Sequence, residues 1–179
     1  MSAQFLMSTT RIEPATLEDC DLVAELHVAA WRVAYKGLLP TAFLATLSVE
    51  SRALAWRKVL QEGRSELLLA RSDDGVIGFV SFGPCRDDDA PPGRGEIWSI
   101  YLYPRHWSTG VGRTLWLAAH ERLVQLRYSS ISLWVIVGNE RAKRFYRKAG
   151  FEVEWGSEKN LQIADSTLRE IRLIRSSSG

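Results

Sequence analysis

The chain has 179 residues, of which 46% are hydrophobic, which is enough for one well-packed domain and short for two. Its 23 basic and 21 acidic residues leave a net charge of only +2, so composition gives no electrostatic reason to bind nucleic acid or a membrane surface. Cys20 and Cys85 are too few for a disulfide framework, and no metal site is expected. Residues 1–10 lack a signal-peptide pattern, so we expect a cytoplasmic protein with a flexible N-terminus.

Helix and strand signals alternate through the first half of the chain. Glycine and proline end each segment, and acidic residues open the first helix. The hairpin turn falls at Asp73-Asp74-Gly75, a sequence typical of tight turns. Gly83–Gly95, which is rich in Asp, Pro and Gly, is predicted to be a mobile loop. In chain order the pattern predicts a strand, two helices and the two strands of the hairpin: Arg11–Pro14, Leu17–Tyr35, Val49–Gln61, Glu66–Arg71 and Val76–Phe82.

The second half continues with single strands separated by helices. Asn139 is a typical helix cap, and Gly150 a typical helix stop. The order of elements argues for one mixed α/β sheet rather than a repeated βαβ unit. We expect one domain over residues 11–175 and a frayed tail over 176–179. The predicted elements are strand, helix, strand, helix and two closing strands: Glu96–Tyr103, Gly110–Arg127, Ile131–Val137, Asn139–Ala149, Phe151–Trp155 and Thr167–Ile174.

The junction Trp107–Arg113, with the sequence Trp-Ser-Thr-Gly-Val-Gly-Arg, joins a predicted strand to a predicted helix. A strand that turns through glycines into a helix directs unpaired N–H groups and the positive end of the helix dipole at one point, which favours a phosphate. A P-loop would need Gly and Lys where the chain has Trp107 and Arg113. A dinucleotide-binding loop starting at Gly110 would need its third glycine at Leu115. Neither of these phosphate loops fits.

Two motifs resemble the signatures of the GNAT superfamily of N-acetyltransferases. Tyr101–Leu115 is similar to the family's acyl-CoA loop, in which Gln or Arg is followed by two residues, Gly, any residue, and Gly or Ala. Asn139–Phe151 resembles the Asn that opens a helix carrying Phe-Tyr and ending at Gly-Phe. The resemblance runs from about Arg11 to Ile174. It implies a single-domain α/β fold with a mixed, mostly antiparallel sheet of about seven strands, about four flanking helices and a β-bulge in the fourth strand, which we place within Ile97–Ile100.

The resemblance also implies a function. A protein of this family moves an acetyl group from acetyl-CoA to a primary amine of a small molecule, a peptide or a protein N-terminus. Direct transfer in a ternary complex is expected, because no Cys or Ser has a partnered base. Arg105, Arg113 or Arg144 could add a contact to a phosphate. The implied cofactor-binding residues are Ile100, Tyr101, Leu102, Trp107, Ser108, Thr109, Gly110, Val111, Gly112, Arg113, Asn139, Ala142 and Phe145. Of these, Trp107 and Ser108 depart from the family pattern, which more often has Gln or Arg and then Gly.

Tyr146 and Glu96 are the candidates for proton transfer. By the resemblance, the Tyr146 hydroxyl points at the cofactor sulfur, and a phenol with a pKa of about 10 can return a proton to a thiolate whose conjugate acid has a pKa of about 8.5. Tyr146 could instead be a buried aromatic paired with Phe145. Glu96 begins the fourth strand, where part of the family has a base that acts directly or through a water. It could equally be a polar strand terminus.

The acceptor side is defined only by an aromatic stripe. Trp31 and Tyr35 share this stripe with His27 at helical spacing, in the segment that usually walls the acceptor pocket in the family. Such a wall could pack an alkyl chain or hold a cation, or the stripe could simply be core. The alternative function is a catalytically silent CoA-binding regulatory or interaction module. A nucleic-acid-binding role would rest only on one basic helix, and a homodimer through the last strands is compatible with the sequence but not required by it.

Overall fold

The structure is a computed structural model that describes residues 10–177. The predicted flexible ends fall largely on residues 1–9 and 178–179, which lie outside the described residues. Within residues 10–177 the chain forms eight strands and five α-helices, besides short 3-10 turns. The strands are β1 (Arg11–Pro14), β2 (Glu66–Ser72), β3 (Gly75–Pro84), β4 (Arg94–Leu102), β5 (Ser130–Ile136), β6 (Glu152–Val153), β7 (Lys159–Ile163) and β8 (Ser166–Ser176). The helices are α1 (Cys20–Ala34), α2 (Thr41–Ala45), α3 (Val49–Glu62), α4 (Val111–Gln125) and α5 (Glu140–Lys148).

The strands form one mixed sheet. The order is β1-β2-β3-β4-β5-β8, and both β6 and β7 pair with the far edge of β8. Every pairing is antiparallel except that between β4 and β5. The expected single-domain α/β fold with a mixed, mostly antiparallel sheet is therefore confirmed, with one strand and one helix more than the sequence predicted.

The two additional elements lack a sequence signal. The hairpin between β7 and β8 turns at Ala164, which adopts a positive φ of 50° without the Gly or Asn that usually marks such a turn. Helix α2 has only five residues, which is too short for apolar periodicity to show. Strand β6 is shorter than the predicted strand Phe151–Trp155. It begins only after Phe151, because the Phe151 N–H still donates to the Tyr146 carbonyl at the end of α5. Strand β8 runs through Ser176, one residue into the predicted tail.

The predicted mobile loop between β3 and β4 is shorter than expected and is anchored. The Asp87 carboxylate accepts hydrogen bonds from Trp134 Nε1 at 3.0 Å and from Arg172 Nη1 at 3.1 Å. Asp89 accepts two further hydrogen bonds from Arg172, at 2.7 and 2.8 Å. Because Trp134 lies on β5 and Arg172 on β8, these contacts tie the loop to two neighbouring strands. Charge-assisted hydrogen bonds therefore anchor the loop, and its mobility stays a prediction.

Helices cover both faces of the sheet. On one face α4 buries Leu115, Ala119 and Leu123 against the strands. On the other face α1 and α3 pack on β2 and β3, where Phe79 is fully buried. Burial of this apolar surface is the main source of stability for the two layers. No helix within the described residues is long and apolar enough to cross a membrane.

One extra residue in β4 separates it from β5. Ser81 of β3 pairs with Ser99, and the next residue, Phe82, pairs with Ile97, so that Trp98 is the bulged residue. The predicted bulge within Ile97–Ile100 is therefore confirmed. The parallel ladder to β5 covers only Arg94–Glu96, opposite Ser130–Ser132. Beyond that ladder the two strands part, and the edge of β4 that faces β5 has no strand partner.

His27 is a buried titratable group at the centre of the α1 face. Its Nδ1 accepts a hydrogen bond from Trp56 Nε1 at 3.2 Å, and its ring stacks on Tyr101 with a centroid distance of 5.0 Å. Burial, with a smaller contribution from the Arg52 charge, lowers the pKa of His27 to about 3. The imidazole is therefore neutral and belongs to the core.

We predict that His27 makes the free energy of unfolding pH-dependent. The unfolded chain takes up a proton at a pKa of about 6.5, whereas the folded chain does so near a pKa of about 3. The unfolded state thus binds more protons in this window, and stability is lost as pH falls through it. Between about pH 7 and pH 5, the free energy of unfolding should fall by about 2 kcal/mol more in wild type than in His27→Asn, because an asparagine at this position does not titrate. Urea denaturation measures both, and equal losses would contradict the prediction.

Candidate active site

The parted strands open into a cavity of about 460 Å³. Its walls come from β4, the segment that precedes α4, the first turn of α4, much of α5, and β5. Ala34 also borders it, which brings the end of α1 to the same space. This volume is within the range of small-molecule sites.

The N-terminus of α4 lies at the cavity. Gly110 caps the helix with a positive φ of 94°, and no side chain accepts a hydrogen bond at the cap. Gly112 faces Phe145 of α5, where a Cβ atom would lie 3.4 Å from Phe145 Cε2, at ordinary contact distance. The first N–H groups of a helix and its dipole favour an anion. The geometry therefore suits the phosphate predicted for this junction.

Most of the predicted cofactor residues border this one cavity. They are Ile100, Tyr101, Leu102, Trp107, Ser108, Gly110, Gly112, Arg113, Asn139, Ala142 and Phe145. Thr109 and Val111 do not border it, since the Thr109 hydroxyl donates to the His106 carbonyl at 2.6 Å and Val111 is buried in the core. Tyr101 borders the cavity, but its ring packs against α1.

Other residues also border the cavity. Arg144, a predicted candidate for a phosphate contact, is one of them. The residues without a predicted role are Ala34, Ile97, Trp98, Ser99, His106, Trp134, Val135, Arg141 and Lys148. Trp134 and Val135 lie on β5, and only the register of the sheet places them here.

Ser108 occupies the left-handed region in the segment before α4, with φ 62°. The neighbouring Trp107 fixes the segment by donating from Nε1 to the Leu102 carbonyl at 3.1 Å. The departure at Ser108 from the family's usual glycine therefore places an L-residue in a conformation that costs it energy.

We predict that Ser108→Gly stabilises the protein by about 0.5–1 kcal/mol, because the relieved strain exceeds the extra chain entropy of glycine. Ser51→Gly is the matched control, because Ser51 lies on α3. A glycine in this helix should lower the free energy of unfolding of the protein by about 0.5 kcal/mol. Urea denaturation at constant pH measures both. A loss at Ser108 as large as that at Ser51 would refute the strain at this position.

The cavity is cationic. Arg113, Arg141, Arg144 and Lys148 border it, whereas no Asp or Glu among residues 10–177 does. The same described residues contain no cluster of three His, Cys, Asp or Glu side chains that could hold a metal. A site with unpaired helix N–H groups, basic side chains and no carboxylate fits a phosphate-bearing ligand.

Tyr146 contributes a phenol to the cavity. It is buried, with its ring edge-on to Phe145 and Phe151 at centroid distances of 5.2 and 5.8 Å. Burial raises the pKa of Tyr146, and the nearby Arg141 charge partly opposes that shift. The hydroxyl therefore carries its proton at neutral pH and can donate it.

Trp31 and Tyr35 lie behind the cavity wall instead of bordering it. The Tyr35 and Tyr101 hydroxyls are hydrogen-bonded at 3.1 Å, and Trp31 packs edge-on to Tyr35 at a centroid distance of 4.8 Å. Burial raises the pKa of both tyrosines. The aromatic stripe therefore forms a packed layer, as its alternative reading as core predicts, and Ala34 is the residue of α1 that borders the cavity. Its role as an acceptor wall stays a prediction.

Glu96 is buried and fully engaged by Arg86. Glu96 Oε2 accepts from the Arg86 backbone N–H at 2.9 Å and from Arg86 Nε at 3.1 Å, and Oε1 accepts from Nη2 at 2.6 Å. Glu96 does not border the cavity, and it is the last β4 residue paired with β5. Of the two roles that the sequence left open for Glu96, this geometry fits the polar end of a paired strand, and the role as a base stays a prediction.

We predict that Glu96→Gln lowers the free energy of unfolding by about 1–3 kcal/mol, because a buried charge-assisted pair is lost. The shape of the pH dependence of activity should stay unchanged. Asp21→Asn is the control, because Asp21 forms an ion pair with Arg57 on the surface. This variant should lower the free energy of unfolding by less than about 1 kcal/mol.

Denaturation curves and acetylation rates, measured across pH on the same preparations, distinguish a structural role of Glu96 from a role as a base. A large loss of turnover with a missing acidic limb, at unchanged stability, would instead establish Glu96 as the base.

Comparison with known proteins gives the family. A family model described as the acetyltransferase (GNAT) family matches residues 23–151. YuaI of Bacillus subtilis (strain 168), an uncharacterized N-acetyltransferase, is 32% identical over 163 residues, covering 90% of this chain and 90% of its own. The spermidine N(1)-acetyltransferase of Thermoplasma acidophilum is 25% identical over 150 residues, covering 80% of this chain and 88% of its own. The crystal structure of PaiA N-acetyltransferase from Thermoplasma acidophilum in complex with coenzyme A matches with a TM-score of 0.72 at 21% identity, covering 94% of this chain and 99% of that one.

The matched family model and the named relatives identify the chain as an acyltransferase with an α/β fold. The matched model and the relatives show that the chain belongs to the GNAT family of acetyltransferases.

Proposed function

We propose that the protein transfers an acetyl group from acetyl-CoA to a primary amine by direct transfer in a ternary complex. The observation that carries this proposal is a single cavity with the N-terminus of α4 at one wall and the protonated Tyr146 phenol at another. An anion-binding end and a proton donor in one space are what an acyl-CoA donor requires. PaiA, which shares the fold, was solved with coenzyme A.

The chain offers three kinds of contact to the donor. N–H groups at the start of α4, next to Gly110 and Gly112, would bind the pyrophosphate. The unpaired edge of β4 over Ile100–Leu102 would bind an extended arm as an added strand. Asn139 Oδ1 accepts from the Ala142 N–H at 3.2 Å, which leaves its amide NH2 available to donate. When bound, acetyl-CoA supplies an activated acetyl thioester.

Tyr146 Oη is the proposed proton donor to the leaving sulfur. Direct transfer is favoured because the cavity lacks an activated nucleophile: no cysteine of the described chain borders it, and Ser99 Oγ is buried without a hydrogen-bond partner. A serine without a partnered base is a weak nucleophile. The amine therefore reacts with the donor itself.

The acceptor amine is proposed to lose its proton to solvent before it reacts. No carboxylate among the described residues borders the cavity, and Glu96 is occupied by Arg86. An alkylamine with a pKa of about 10.4 is neutral only about once in two thousand at pH 7. The reaction should therefore accelerate as pH rises toward the pKa of the amine. The spermidine acetyltransferase relative, named for a primary-amine substrate, is consistent with this class of acceptor.

We predict that Tyr146→Phe lowers kcat about 10²–10⁴-fold while the Kd for acetyl-CoA stays within about threefold, because only proton transfer is lost. Rates of CoA release from acetyl-CoA in the presence of an amine measure kcat, and calorimetry measures Kd. Tyr103→Phe is the matched control, since Tyr103 does not border the cavity.

Two outcomes would contradict the assignment. Equal losses in both tyrosine variants would make the effect structural. Tight acetyl-CoA binding by wild type with no turnover of any amine would favour the alternative, a silent CoA-binding module.

A further inference from the structure

Arg141 and Trp107 form a contact to which the proposed reaction assigns no task. Arg141 lies in the first turn of α5, and its guanidinium stacks on the Trp107 ring, with the guanidinium carbon 3.3 Å from the ring centroid. The ring is itself fixed, because Trp107 Nε1 donates to the Leu102 carbonyl at 3.1 Å. The Trp107 side chain therefore has no N–H left to offer a ligand, and its ring face carries a guanidinium instead.

A second contact shows which way this face of α5 points. Phe145 follows Arg141 by four residues, so the two side chains lie on one face of the helix. Phe145 lies opposite Gly112, where a Cβ atom would be 3.4 Å from Phe145 Cε2. Arg141 and Phe145 thus face the two ends of the segment that runs from Trp107 into the first turn of α4. Arg141 is placed at the donor loop by these two contacts.

The Arg141 guanidinium is available to an anion. Arg141 is exposed at the cavity, and no carboxylate among residues 10–177 forms an ion pair with it. The acid before it in the sequence, Glu140, is paired with Lys143 at 2.7 Å. A guanidinium that stacks on an aromatic ring keeps its in-plane N–H groups for a second partner, and their fork matches a phosphate in a bidentate geometry.

The dipole of α5 disfavours an unpaired cation at this position. The first turn of a helix lies at the positive end of the dipole, which repels the Arg141 charge. An anion between the starts of α4 and α5 would be attracted by both helix ends and by the guanidinium. The phosphates of the donor are the anions that the proposed reaction brings to this cavity.

We infer that Arg141 binds a phosphate of the acyl-CoA donor through its guanidinium fork, and that Trp107 is the positioning residue that holds this fork beside the start of α4. The inference rests on the proposed acetyltransferase function. It adds a side chain of α5, which the sequence did not suggest for a phosphate contact, to the backbone N–H groups of α4. The pyrophosphate and the 3′-phosphate of CoA present the same chemistry to a guanidinium, and the test distinguishes them.

The test is calorimetric titration of the full-length protein with CoA, at low and at high salt. The variants are Arg141→Gln, Trp107→Phe, Trp107→Leu and the double variant Arg141→Gln, Trp107→Leu. Arg147→Gln is the control, because Arg147 is an exposed cation of the same helix that does not border the cavity. Urea denaturation measures the stability of each protein. The kcat and the KM for acetyl-CoA are measured with an amine that wild type acetylates.

Arg141→Gln should weaken CoA binding about tenfold to a hundredfold, the range of a charge-assisted hydrogen bond. The loss should shrink at high salt, because ions screen the attraction between guanidinium and phosphate. It should appear in the KM for acetyl-CoA, while kcat stays within about threefold. Arg147→Gln should bind CoA within about twofold of wild type.

The Trp107 variants test whether the ring acts through Arg141. Trp107→Leu removes the aromatic face and should weaken CoA binding, whereas Trp107→Phe keeps a face for the guanidinium and should weaken it less. The double variant should lose no more than the single variant with the larger loss, because both changes remove one contact.

Titration with 3′-dephospho-CoA, which keeps the pyrophosphate and lacks the 3′-phosphate, identifies the phosphate. A loss in Arg141→Gln that is equal for CoA and 3′-dephospho-CoA assigns the contact to the pyrophosphate. A loss that is confined to CoA assigns it to the 3′-phosphate.

Three results would overturn the inference. The first is CoA binding by Arg141→Gln that equals binding by wild type. The second is a loss that is the same at low and high salt and comes with lower stability, which would make the contact structural. The third is additive losses in the double variant, which would remove the role of Trp107. If wild type binds CoA but acetylates no amine, the proposed function fails and the titrations still decide this inference; if wild type does not bind CoA, both fail.

Discussion

The ending of the β4–β5 ladder at Glu96 is the constraint on which the site depends. One inserted residue, Trp98, shifts the register of β4 against β3, and the parallel pairing to β5 does not continue past it. Arg86 holds this point, because it binds both oxygens of Glu96 and stacks at 4.5 Å over the Trp98 ring. A buried ion pair is weak evidence for stability, but here it lies where one strand must leave another. The cavity follows directly from that separation.

Charge is distributed so that acids stay out of the cavity. Two carboxylates of neighbouring elements are bound by arginines, Glu96 by Arg86 and Asp87 by Arg172. The cavity itself retains four basic side chains and the N-terminus of α4. Because cations attract anions over a distance in a low-dielectric cleft, this distribution of charge favours a phosphate-bearing ligand in the cavity.

Local motifs predicted most of the site, and long-range packing determined the remainder. The loop around Gly110 and the helix capped by Asn139 were predictable because each rests on a short stretch of chain whose backbone chemistry is local. The Arg86–Glu96 pair joins residues from separate elements, as does the Arg141 guanidinium that stacks on the Trp107 ring, with its carbon 3.3 Å from the ring centroid. The spacing of these residues along the chain carries no signal. Strand β7 was missed because its turn, Ala164-Asp165, has no Gly or Asn at the position of positive φ, which Ala164 occupies. The sequence thus predicted cavity residues that belong to local motifs and not those that the sheet register brings in, and which of them contact the cofactor or the acceptor stays a prediction.

Calorimetric titration with CoA tests the central claim that the separated strands and the start of α4 form the donor site. Gly110→Asp places a carboxylate where the phosphate should bind, and Gly75→Asp changes a glycine of similarly positive φ in the β2–β3 turn, away from the cavity. Wild type and Gly75→Asp should bind CoA with the same affinity, and Gly110→Asp should lose at least tenfold because like charges repel. Binding that is equal in all three proteins, or absent in wild type, would contradict the account.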